Sequence, residues 1–141
     1  MPQFQTKTTL PTLARLALTA LILLPVASAQ PTAGTFHSLA APTTGTAVLV
    51  KQGGNTTLQL KNLKTEPGPD LQVWLYRNAA PLKGAKDATI AKGKYIKVGT
   101  LKTFNGSFSY VIPKGTDVTQ YKSVVIWCDQ VKTAFAAAAL Q

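Results

Sequence analysis

The chain has 141 residues, with 15 Lys and Arg against 5 Asp and Glu, a net charge of +10, and a single His, Cys and Met. One cysteine excludes an internal disulfide, so the fold must rest on its hydrophobic core. A lone His37 and five scattered acids leave no carboxylate cluster for calcium or magnesium, no Cys/His spacing for zinc, and a hydrolytic triad only if His37 serves it.

The first element is an export signal. Lys7 and Arg15 precede an apolar run from Leu16 to Leu24, Pro25 breaks it, and Ala27-Ser28-Ala29 supplies a small-residue exit before Gln30. A basic start, a short apolar stretch and an A-x-A end have the form of a cleavable secretory signal. The run is shorter than the ~20 residues that span a bilayer. Residues 1–29 are therefore expected to leave, with no transmembrane segment remaining, and residues 30–141 to form one exported domain, periplasmic, secreted or at the cell surface. Without Lys7 and Arg15, 13 basic side chains face 5 acidic ones, a charge of +8. Such a charge attracts anionic surfaces generically and is screened by salt. An anionic cell-surface polymer is one candidate partner, whereas no specific nucleic acid is called for.

From residue 35 the pattern reads as short strands separated by turn signals. Thr35–Leu39 and Thr46–Val50 are followed by Gly53-Gly54-Asn55, a hairpin signal, and by Thr56–Lys61. Pro67-Gly68-Pro69-Asp70 breaks the chain ahead of Leu71–Tyr76, where Leu71, Val73 and Leu75 share one face. Residues 78–93 read as a loop with room for one helical turn. Tyr95–Leu101 is the next strand. Phe104-Asn105-Gly106-Ser107 carries the strongest tight-turn signal, because Asn-Gly tolerates positive φ, and Phe108–Ile112 returns from it. Lys122–Cys128 contains Val124-Val125-Ile126-Trp127, an unbroken apolar run expected of a central strand covered on both faces. Residues 131–140 close the set as a hairpin strand despite their alanines. The expectation is an all-β, single antiparallel β-sandwich of about seven to eight short strands.

Few residues could carry chemistry. Asp70, at a strand entry, is either a ligand or proton handler, or a turn residue whose carboxylate accepts backbone N–H bonds. Trp74, Tyr76, Tyr95, Phe108, Tyr110, Tyr121 and Trp127 are either stacking platforms or core and rim. Trp74 and Tyr76 oppose the Leu71 face, so they are the expected exposed pair if that side is solvated. Asn55-Thr56-Thr57 and Asn105-Gly106-Ser107 would accept sugar only in a glycosylating host. Cys128 shares a face with Val124 and Ile126 and opposes Trp127. It reads either as a small buried hydrophobe or as a reactive or metal-ligating thiol at a half-covered strand end. Asp129 would raise its pKa and Lys132 would lower it.

These residues resemble a known family. Gly34-Thr35-Phe36, Gly45, Pro67-Gly68-Pro69-Asp70-Leu71, Gly99-Thr100-Leu101, Gly106 to Tyr110 and Ile112-Pro113 match it, as does the block Tyr121 to Cys128 with Phe135 and Ala138 to Leu140. The chain is similar to the DM-thirteen electron-transfer domain, the extracytoplasmic module of Skeletor-type proteins and of proteins with DOMON domains. The resemblance implies electron transfer or oxidative modification at cell surfaces, by a non-enzymatic electron-transfer or binding domain rather than an enzyme, with a redox protein as one candidate partner. It also implies that Cys128 matches the family's characteristic cysteine, acting as a bare thiol or as the ligand of a prosthetic group such as haem. Within this chain a second axial ligand could only be His37, since Met1 leaves with the signal, and the absence of C-x-x-C-H excludes c-type attachment. Phe135 is followed by Ala136 where the family usually has glycine. The competing reading is a non-redox binding module for anionic envelope or extracellular polymers, with exposed aromatics and with Cys128 only packing in the core. A hydrolase using His37 ranks third.

Overall fold

The computed structural model describes residues 20–25 and 32–140. Most of the segment read as an export signal lies outside the described residues; residues 20–25 have no regular structure, with Leu21 to Leu24 exposed. Among the described residues no helix is long and apolar enough to cross a membrane.

The elements run β1 (Thr32–Ser38), β2 (Thr44–Gln52), β3 (Asn55–Lys64), β4 (Leu71–Tyr76), α1 (Asp87–Lys92), β5 (Tyr95–Thr100), β6 (Asn105–Val111), β7 (Ser123–Cys128) and β8 (Thr133–Ala139). A short 3-10 turn, Val118–Gln120, precedes β7. The eight strands pair in the order β5-β4-β7-β8-β1-β2-β3-β6, and every described pairing is antiparallel. The all-β antiparallel fold expected from the alternation is the one found. It is a sheet folded into two layers, because β1 serves both. Thr32 to Thr35 pair with β2, and Phe36 to Ser38 pair with β8. Gly34 sits where the strand passes from one layer to the other; a Cβ there would overlap the Ala139 carbonyl. The outer strands β5 and β6 nearly close the sheet. Tyr110 of β6 lies against Gly99 of β5, and its phenol donates to the Thr100 carbonyl at 3.1 Å.

The core between the layers is mostly aliphatic, with Phe36 and Tyr121 also buried in it. Leu58 and Leu60 of β3 meet Leu71, Val73 and Leu75 of β4 and Val124 and Ile126 of β7 there. Local chemistry sets the β2–β3 turn as expected. Gly53 and Gly54 both take positive φ between the paired ends Gln52 and Asn55, which is the two-residue turn that glycine favours.

The turn expected at Asn105-Gly106 is a correction. Both residues lie inside β6, opposite Lys64 and Leu63 of β3. β5 and β6 do not form a hairpin, since β5 pairs with β4 and β6 with β3. The chain between them crosses from one layer to the other, and Gly106 uses its positive φ beside a bulge in β3. Residues 78–93, read as a loop, contain α1 and fold back over the outer face of β4 and β7.

Candidate functional site

β4 and β7 lie side by side, with Leu71 opposite Cys128, Trp74 opposite Val125 and Tyr76 opposite Ser123. Every residue of both strands is buried. Alternation divides them between two faces. Leu71, Val73, Leu75, Val124, Ile126 and Cys128 face the aliphatic core between the layers. Trp74, Tyr76, Val125 and Trp127 face the other side, where Ile90, Ala134 and Ala137 complete a second cluster.

Cys128 is 0% exposed, the only free thiol, and lies across from Leu71 on one neighbour and Thr133 on the other. Of the two placements read for Cys128, the buried one is found and the half-covered one is not. β8 bulges around Phe135, between Ala134 opposite Trp127 and Ala136 opposite Ile126. The Phe135 carbonyl accepts the amides of Leu39 and Ala41, at 2.9 and 3.2 Å. Ala136 thus stands directly after the bulged residue, paired with Ile126.

Trp74 and Tyr76, the pair expected to be exposed if their side were solvated, are buried, because that side is covered. Their cover is the 78–93 segment, pinned at several points. The Tyr76 phenol donates to the Ile90 carbonyl at 3.0 Å, and the Asp87 carboxylate accepts the Ala134 amide at 2.9 Å. His37 Nε2 donates to the Pro81 carbonyl at 2.6 Å, and the Ser123 hydroxyl to the Asn78 carbonyl at 2.7 Å. Gly93 allows the close approach, because a Cβ there would overlap the Tyr76 ring. The apolar run of β7 demanded a cover on both faces; which segment supplied the second one was not readable locally.

On this outer face three rings stack. Tyr95, opposite Tyr76 in register, lies flat on Trp74 with centroids 3.6 Å apart and planes at 6°. Trp74 in turn lies 4.7 Å from Trp127 at 23°. Both tryptophans are 1% exposed, whereas Tyr95 is 41% exposed. The indole N–H groups have partners: Trp74 donates to Gln72 Oε1 at 3.0 Å, and Trp127 to Asp129 Oδ1 at 3.3 Å. Asp70 accepts the Gln72 side-chain amide at 3.3 Å, and its carbonyl accepts the Asp129 amide at 2.9 Å. The Lys132 ammonium bridges to Asp129 Oδ1 at 2.8 Å. That hydrogen bond holds the Asp129 carboxyl below its ordinary range, with the Trp127 N–H adding to the effect, and it raises Lys132. Single-residue reading did not foresee Gln72, Asp129 and Lys132 as a polar rim for the rings. The available signal was the alternation placing Gln72, Trp74 and Tyr76 on one face.

The sequence candidates do not all converge. Asp70, Trp74, Tyr76 and Trp127 belong to the outer face of β4 and β7. His37 stands opposite Ala137 in register, so it also lies on that outer side. Cys128 lies on the inner face. One haem iron between Cys128 and His37 would have to sit on both sides of the same layer. A porphyrin on Cys128 alone would displace the aliphatic core that encloses the thiol. These residues do not fit haem ligation. Among the described residues no group of three or more His, Cys, Asp or Glu side chains gathers.

Fold and site together define a small all-β domain with one enclosed thiol and an aromatic stack on the reverse face of the same strand. The chain belongs to the DM13 family: the family model described as electron transfer DM13 matches residues 35–140, from β1 through β8. No curated protein and no solved structure gives a significant match.

Proposed function

We propose that the protein is an exported accessory electron-transfer module that exchanges single electrons with a separate redox protein, with the bare thiol of Cys128 as its centre. Membership of an electron-transfer family supports the redox role, and the signal-like segment at residues 1–29 supports export. The observation that carries the reading is the complete enclosure of the only thiol. A second cysteine is lacking, so no disulfide cycle can run within the chain. Enclosure keeps a partner's thiolate or disulfide away from Sγ, because exchange requires direct attack on sulfur. Electrons can cross packed protein where molecules cannot. On oxidation Cys128 loses one electron to the partner's acceptor, and its thiol proton leaves to solvent as the enclosing strand end opens locally; reduction reverses both.

The test is mediated voltammetry of the full chain as processed by its host, beside Cys128→Ala, with a visible spectrum of each. The expected result is a one-electron wave in the native protein that Cys128→Ala lacks, without a haem band. An equal wave in both proteins, or none in either, overturns a Cys128 centre, and a haem band overturns the bare-thiol reading.

A further inference from the structure

We infer that the Tyr95–Trp74–Trp127 stack is the port through which electrons pass between a partner docked at the β5 edge and the residue next to Cys128. This rests on the electron-transfer reading above and adds the route and the docking place. Three observations carry it. The rings form one continuous π-stack, with centroids 3.6 and 4.7 Å apart. Its outer member is 41% exposed while the inner two are sealed, so the stack has a single wet end. Its inner member, Trp127, is the covalent neighbour of Cys128 in β7. Electron tunnelling falls off exponentially with distance, so stepping through adjacent easily oxidised rings outruns a single jump across the cover. Packing alone would need large rings here; it would not need the most oxidisable side chains in file from solvent to the thiol's neighbour.

The hydrogen bonds suit the steps. A strong one-electron oxidant in the partner takes one electron from Tyr95 and is reduced by one, and the phenolic proton goes to water. Trp74 refills Tyr95, which recovers its proton from water, and Trp127 refills Trp74. The vacancy on Trp127 releases the indole N–H proton along its bond to Asp129, whose partly exposed carboxylate passes it to water. Cys128 supplies the last electron to Trp127, whose indole takes its proton back from water through Asp129, and the thiol proton leaves to water as the strand end opens locally. In sum the oxidant gains one electron, and Cys128 loses one electron and one proton.

The experiment is flash photolysis of the full host-processed chain with photogenerated ruthenium(III) tris-bipyridine as the oxidant. A Tyr110→Phe background removes the half-buried phenol that lies outside the stack. The expected sequence is a tyrosyl transient that decays into a tryptophanyl one. Trp74→Phe keeps a ring in the stack but breaks the relay, so the tyrosyl signal should persist and the tryptophanyl signal should be lost. Should Trp74→Phe fail to fold, Tyr95→Leu, at an exposed position, should lose the tyrosyl transient and slow the oxidation of Cys128. Unchanged transients in both variants overturn the port. A Cys128-dependent voltammetric wave whose rate is indifferent to Tyr95→Leu also overturns the port and leaves the Cys128 centre standing. Loss of the transients in the variants, with no Cys128-dependent wave, keeps the stack as a relay and removes the thiol as its terminus.

Discussion

The two faces of β4 and β7 are built on different principles. The inner face is aliphatic and meets the opposite layer without directional contacts. The outer face carries Gln72, Trp74, Tyr76, Ser123 and Trp127, and each of their polar atoms finds a partner in the cover or the polar rim. Hydrophobic burial on the inner side tolerates any well-filled shape, whereas the outer side fixes ring positions through hydrogen bonds. A position-sensitive function such as electron transfer is better served by the second.

Substitutions can break this contrast, the largest effects first. Trp74→Ala should cost about 3–5 kcal/mol by denaturant melting, since it leaves a large cavity between two stacked rings. Leu75→Ala, its neighbour on the inner face, should cost about 2–5 kcal/mol but leave tryptophan fluorescence at its native wavelength; a shift as large as that of a Trp74 variant would mean the faces are not independent.

Cys128→Ser should cost about 1–3 kcal/mol more than a comparable apolar replacement, because it buries a hydroxyl in the apolar core. Equal melts for Cys128→Ser and Cys128→Ala would show that the site holds a polar partner or water. Alkylation of the native thiol should proceed only as fast as local opening allows. A stoichiometric reaction on mixing would mean that Cys128 is open.

Asp87→Ala should cost about 1–2 kcal/mol by removing the carboxylate that accepts the Ala134 amide. Amides of residues 86–93 should then exchange faster than those of β7, which would show the cover as a separately opening unit.

The smallest effect belongs to the Asp129–Lys132 pair, which is open to solvent. The Asp129 carboxyl is held low by Lys132, so its contribution is present above the ordinary carboxylate range and is lost as pH falls through the folded value. Lys132→Met should remove that part of the acid dependence; identical acid limbs with and without Lys132 would assign it to other carboxyls.

The legible and illegible parts of this chain divide by range. Leu71–Tyr76 stood out as a strand with its correct limits, because alternation and the Pro-Gly-Pro-Asp breaker are local signals. The side of Cys128 relative to Trp127 followed from the same alternation. Asn105-Gly106 misled for a physical reason: its tolerance of positive φ serves a strand beside a bulge as readily as a tight turn, and only pairing partners distinguish the two. The 78–93 segment looked like loop because α1 is only a single short stretch from Asp87 to Lys92 with one buried residue, Ile90. Its role as a cover lies in contacts with β1, β4, β7 and β8, distant in sequence.

The sequence by itself determined that this is an antiparallel β-domain with one thiol, and which side of its strand that thiol takes, because period-two alternation and turn chemistry act between near neighbours. Tertiary structure alone decided that the thiol is sealed, that His37 lies across the layer from it, and that Trp74, Trp127 and Tyr95 stack under a folded-back segment. Those outcomes depend on which strands pair and which segment covers them, and pairing between residues far apart in the chain leaves no periodic mark on either one.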